Sequence, residues 1–118
     1  MTSWADIRER YLQDDIPVRL GGLAANLLRI SSYSDRPEHK DVVSRLVRES
    51  ALFIEWTAPD VEADRQAELA QLQRELSVWY RDWDSLWSGA SSRADLARQA
   101  DGWSRRVLEM SGLLAREA

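Results

Sequence analysis

Leu69, Leu72, Leu76, Trp79, Trp83 and Leu86 are separated by alternating steps of three and four residues, and Leu96, Ala100, Trp103, Val107, Met110 and Leu114 repeat the alternation. A mean step of 3.5 residues keeps an apolar stripe on one side of an α-helix, and such stripes pack against one another at small crossing angles. Val43, Leu46, Val47, Phe53 and Ile54 form a third apolar face, and Leu20, Leu23, Leu27 and Ile30 a fourth. No segment alternates at period two over a useful length, so strands are not expected.

Helix starts are marked at intervals. Ser3 with Asp6, Asp35 with Glu38, Thr57 with Asp60, and Ser92 with Asp95 each place a capping oxygen three residues before a carboxylate. The oxygen accepts free backbone N–H groups, and the carboxylate complements the positive helix end. Pro37 and Pro59 fall in first turns, where a missing N–H costs nothing. Pro17 forces a break, and Gly89 is a natural stop. These signals predict helices over 4–13, 17–32, 37–56, 59–88 and 93–116. The expected fold is all-α: one domain over 1–118, an antiparallel four-helix bundle with a short additional N-terminal helix. At 118 residues, roughly two-thirds of the unfolded surface can be buried, enough for a self-supporting core.

Six tryptophans stand in this short chain. Trp79, Trp83 and Trp87, four apart, run along one side of a helix. Each indole carries one N–H that needs a partner when buried. Trp79 and Trp83 occupy stripe positions and are expected in the core. Trp87 falls one past Leu86, and steps of four drift by about 40° each, so it is expected to turn toward a groove or interface. Gly21, Gly22, Ala24 and Ala25 form a small face inside the second helix, at a cost of about 1 kcal/mol per glycine. A neighbouring indole is expected to approach the backbone there, and Gly102 beside Trp103 reads the same way.

Several functions are excluded by what the chain lacks. With no cysteine there are no disulfides, thiol nucleophiles, iron–sulfur clusters or cysteine zinc sites. The net charge is −4, and residues 1–56 carry 8 basic and 9 acidic side chains against 8 and 11 in the remainder. No segment is strongly basic, which argues against nucleic acid and against an anionic membrane surface as partner. The opening Met1–Asp6 lacks a basic flank and an apolar run, so no secretory signal is expected. No stretch approaches the roughly 20 apolar residues of a membrane span. A cytoplasmic protein is expected.

The inventory for catalysis is thin. His39 is the only histidine, among polar neighbours, and reads as a surface residue; Arg36 stands three before it, so the Glu-x-x-His element of a di-iron bundle is missing. The pair Gly21-Gly22 lacks the spacing and preceding strand of a phosphate loop. Asp60, Asp64 and Glu68, four apart, would share one helix face; such a face could bind a magnesium-type cation, but it reads first as a solvated helix N-terminus. No cofactor is expected.

What remains is a binding function. Trp56, Tyr80 and Trp87 lie off the stripes, and with Arg81 they form the candidate interaction surface, since aromatic and arginine residues anchor interfaces. The expected role is a protein-interaction or self-associating module whose partner is another protein or a second copy. Two alternatives stand beside it: a small-molecule-binding bundle with a Trp-lined pocket facing the small residues, and a metalloenzyme using the three carboxylates.

Overall fold

Two of the long helices begin on a side-chain cap, and the others follow turns or a glycine. In the computed structural model, which describes residues 3–116, α1 spans Trp4–Gln13, α2 Ile16–Tyr33, α3 Lys40–Thr57, α4 Ala63–Arg81, α5 Trp83–Ser88, α6 Ala90–Ser111 and α7 Leu113–Arg116. Short 3-10 turns at Pro37–His39 and Ala58–Asp60 precede α3 and α4. Met1 and Thr2, part of the stretch read for a leader, lie outside the described residues. Among the described residues there is no strand, and no helix is long and apolar enough to cross a membrane.

Ser3 caps α1 as expected: its Oγ accepts the Asp6 N–H at 3.1 Å. Asp15 caps α2 by accepting the Val18 N–H at 3.1 Å, with Pro17 in the first turn. The other three expected caps do not form. Pro37 and Pro59 lie in 3-10 turns that finish before the α-helices begin, so Asp35 and Thr57 stand too early. Thr57 is fully buried and its hydroxyl donates to the Tyr11 hydroxyl at 3.3 Å. Ser92 lies inside the first turn of α6, donating to the Gly89 carbonyl at 3.0 Å. Gly112, at φ +75°, ends α6 in the left-handed conformation that favours glycine.

The fourth predicted helix, 59–88, is two helices. Its first residues belong to the 3-10 turn, which the extended Val61 separates from α4. It breaks at Asp82, φ −101° and ψ 21°, where the carboxylate takes two hydrogen bonds from the Arg81 guanidinium, both 3.1 Å. The break re-aims the residues that follow. Trp87, expected to turn outward, is 4% exposed, and its N–H donates to the Pro37 carbonyl at 2.8 Å. Trp83, expected in the core, is only half-buried and stacks on Trp87 with ring centres 5.2 Å apart.

The core is otherwise the one the stripes describe. Leu20, Leu23, Leu27, Ile30, Val43, Leu69, Leu72, Ala100 and Val107 have no exposure. Two spacings of helices coexist around it. Between α2 and α6 the backbones come close: Ser104 Oγ donates to the Ala24 carbonyl at 2.7 Å, and Ser31 Oγ to the Ala97 carbonyl at 2.8 Å. Only small residues allow side-chain hydroxyls to reach a neighbouring backbone directly. Between α4 and α6 indoles fill the gap. Trp79 Nε1–H donates to Gln99 Oε1 at 3.2 Å, and Trp103 Nε1–H donates to Glu75. On the other side, α1 lies against α3, where Tyr11 stacks on Phe53 at 3.9 Å.

The small face of α2 does admit neighbours, though not indoles. A Cβ on Gly21 would meet Leu113 Cδ1 at 2.6 Å, and one on Gly22 the Tyr11 ring at 3.6 Å. Nothing lies within 4 Å of a Cβ on Gly102, which faces open space.

These burials set two expectations. Trp87→Ala should lower unfolding free energy by about 3–5 kcal/mol, and Trp83→Ala by less than about 2 kcal/mol. Equal losses in urea titrations would show that the break at Asp82 is not where the two indoles part company. Burial pushes the Tyr11 phenol up to about 12. Below pH 10 both states keep that proton; between pH 10 and 12 the unfolded chain releases it while the folded one holds it, so stability falls with rising pH. The loss is at most about 3 kcal/mol. Tyr11→Phe should flatten stability over that interval relative to the unsubstituted chain, and parallel curves would contradict the assignment.

Candidate functional site

The apolar stripes of α3 and α4 do not close completely at the surface. Between them Val47 and Ala51 of α3 face Gln73, Leu76 and Ser77 of α4 across a cleft of about 480 Å³. Tyr80 and Arg81 stand at one end of it and Arg48 on its rim. The volume lies within the usual range for ligand and side-chain pockets. Val47 and Leu76 are 1% exposed, so the floor is the core itself, while Tyr80 is 54% exposed above it.

One polar group in this floor is only half satisfied. Gln73 Nε2–H donates to the Ala51 carbonyl at 3.0 Å, which fixes the amide's orientation. Its other end, Oε1, is buried and accepts no hydrogen bond. A buried acceptor left without a donor costs about 1–3 kcal/mol, and, sealed from solvent, this one is closed to a ligand as well. Ser77 Oγ is already engaged with the Gln73 carbonyl at 2.9 Å.

The rim is basic and aromatic. Trp4 of α1 lies on α3 beneath two guanidinium groups, Arg45 at 4.6 Å and Arg48 at 5.8 Å from the ring centre. Such contacts orient arginine side chains at a surface without removing their charge. Arg81 is different: its paired bonds to Asp82 raise its pKa and hold the Asp82 carboxyl below the usual range, so the two form a neutral unit. Arg48 is left as the cationic group of the cleft.

Of the four residues in the expected interaction surface, the fold brings Tyr80 and Arg81 together. Trp56 is half-buried on another side of α3, 5.9 Å from Tyr11 and 6.0 Å from Phe53 by ring centres. Trp87 is in the core at the far end, with the Arg93 guanidinium 5.7 Å over its ring. The two largest clefts described, this one and one on α2, contain no tryptophan; Trp103 lines a smaller one of about 190 Å³ with Gln99, Gly102 and Arg106. Trp79, Trp87 and Trp103 are spent on the core.

Asp64 and Glu68 share a face of α4, but Asp60 does not join them. Asp60 belongs to the 3-10 turn and binds Arg19 at 2.9 Å. Asp64 opens α4, and Glu68 lies 3.8 Å from Arg106. Among the described residues no three His, Cys, Asp or Glu side chains gather to hold a metal ion. His39 is half-buried in its turn, its Nδ1 3.1 Å from the Tyr33 carbonyl and its ring edge-on to Tyr33.

Gln73 and Arg48 were not singled out by sequence. Gln73 follows the stripe residue Leu72 directly, and polar residues beside a stripe are ordinary; only the facing Ala51 carbonyl gives this one a role. No protein-family model, no curated protein and no solved structure matches the chain.

Proposed function

We propose that this chain is a protein-interaction module that docks a partner segment in the α3–α4 cleft. The observation that carries the reading is the apolar cleft over Val47, Ala51 and Leu76 with an exposed Tyr80 at its end. An occupant with an apolar anchor would cover Val47, Ala51 and Leu76. A carboxylate on it would meet Arg48. Tyr80 supplies a large, stiff contact of the type that dominates interface energies.

The scaffold under this reading is an antiparallel four-helix bundle of α2, α3, α4 and α6, with α1 packed on α3. In support, Ser31 pairs with Ala97 and Ala24 with Ser104 between α2 and α6. Between α3 and α4, Ala51 pairs with Gln73, and Ala58, just past α3, with Gln66. Between α4 and α6, Trp79 pairs with Gln99 and Glu75 with Trp103. In each set one number rises as the other falls, the relation expected of antiparallel neighbours. The cleft then lies on rigid elements, which suits recognition without rearrangement. A cytoplasmic site of action is part of this reading.

A second reading, a small organic ligand in the same cleft, is favoured by its volume of about 480 Å³. The two are separated by a photo-crosslinking residue at position 80, introduced in the source cell. The interaction reading expects one recurrent cross-linked protein, whose purified form binds the chain. Tyr80→Ala and Arg48→Glu should each weaken that binding at least about tenfold, with melting temperature unchanged. Binding indifferent to both substitutions would overturn the reading, and a reproducible small added mass in native mass spectra would replace it with the ligand.

A further inference from the structure

Arg93 occupies a place that stability alone disfavours. It is the fourth residue of α6, beside the positive end of that helix, where a cation is repelled. It is only 8% exposed, and among the described residues it joins no ion pair. A guanidinium taken out of water needs a countercharge to offset its lost hydration, and none is supplied here.

Part of the guanidinium is accounted for. Nη1 donates to the Trp87 carbonyl at 2.7 Å, near the end of α5, and the group lies 5.7 Å from the centre of the Trp87 ring. Nε is sealed and makes no hydrogen bond. Nη2 also donates to no protein group among the described residues, but it is not sealed. A carbonyl and a ring face carry no net charge, so the cation stays uncompensated with one edge open.

Arg93 borders a pocket of about 360 Å³ where the end of α2 meets the start of α6. Ala90, Ala94 and Ala97 line it together with Arg93, all four on one side of α6. Ser34 and Asp35 line it from the turn that follows α2. Ser34 is fully buried and its Oγ donates to the Ile30 carbonyl. Asp35 is exposed and, like Arg93, joins no ion pair among the described residues. The start of α6 has no side-chain cap, because Ser92 Oγ donates to the Leu86 and Gly89 carbonyls instead of accepting a backbone N–H. An uncapped helix start favours an anion for the same reason that it repels Arg93.

These groups set the chemistry of an occupant. Arg93 and the helix start attract an anionic head, whereas Asp35 repels a simple anion and attracts a cation. The two charges do not pair with each other, so a ligand that carries both signs meets each of them. The three alanine methyls leave an apolar wall against which a short aliphatic group loses no hydrogen bond. The volume lies within the range of small-ligand pockets.

We propose that this pocket binds a free α-amino acid with a short aliphatic side chain, its carboxylate on Arg93 and its ammonium on Asp35. No residue of the α3–α4 cleft lines it, so it is a second site, independent of Tyr80. The ligand supplies the countercharge that the fold withholds from Arg93.

Amide NMR titration of the whole chain with L-alanine, L-valine and L-leucine tests the assignment. At least one should bind with a dissociation constant below about 1 mM and move the amides of Ser34, Asp35, Ala90, Ala94 and Ala97. Its analogues with one charge removed (for valine, isovalerate and isobutylamine) should each bind at least about tenfold more weakly. Asp35→Asn, at an exposed position, should weaken the amino acid at least about tenfold and leave the amine-free carboxylate unweakened. Arg93→Gln should abolish binding of both. Circular dichroism checks its fold, and if this variant does not fold, Asp35→Asn decides. Tyr80→Ala should bind the amino acid like the unsubstituted chain, which keeps this site apart from the cleft. Absence of binding by all three amino acids to about 20 mM overturns the proposal. Shifts gathered elsewhere on the chain overturn it too, as does an amine-free carboxylate that binds as tightly as its amino acid.

Discussion

The close contact of α2 with α6 is what the other helices are arranged around. Serine hydroxyls from each helix reach the other's backbone carbonyls, Ser31 to Ala97 and Ser104 to Ala24, at 2.8 and 2.7 Å. That distance is open only to helices with alanine, serine or glycine at the seam. It forces the volume of the core to the other side. There the leucine row of α2 meets the stripes of α3 and α4, and the wider space between α4 and α6 is filled by Trp79 and Trp103. Each indole then needs a polar end-point, which Gln99 and Glu75 supply from the facing helix. Small residues on one seam and large ones on the next are a single solution to one packing problem.

This division also accounts for what is left at the surface. Because α2 binds α6 through one side and the core through another, its third side is covered only in part, by Tyr11 and Leu113, and leaves Val18 and Leu28 exposed. Because α3 and α4 meet through Val47, Ala51 and Leu76 with no indole between them, a cleft remains, floored by core residues and spanned by Gln73. Both surface features follow from where the tryptophans were used, and neither contains one.

The helices and their buried faces were legible in the sequence because a 3.5-residue stripe is a property of the chain itself. Leu20 to Ile30, Leu69 to Trp79 and Leu96 to Val107 are buried where the spacing puts them. The break at Asp82 was not legible. The apolar pattern runs on through Leu86, and the contact that receives the re-aimed segment, from the Trp87 indole to the Pro37 carbonyl, forms only in three dimensions. Trp83 and Trp87 exchange places as a result. The caps failed for a related reason: a serine, threonine or aspartate three residues before a carboxylate marks a start only if nothing else competes. Proline-led 3-10 turns displaced Asp35 and Thr57, and Tyr11 engaged the Thr57 hydroxyl. The candidate site was half legible. Tyr80 and Arg81 stood out as off-stripe residues, whereas Gln73 has significance only through the Ala51 carbonyl facing it.

Native-state hydrogen exchange, residue by residue, tests most directly whether the α2–α6 contact is the centre of the fold. Amides of Leu20–Ile30 and Leu96–Val107 should exchange only through global unfolding and be the slowest in the chain, with α3 and α4 opening sooner and α1 and α5 sooner still. If amides of α3 and α4 outlast those of α2 and α6, the close serine–carbonyl seam is not what the rest depends on.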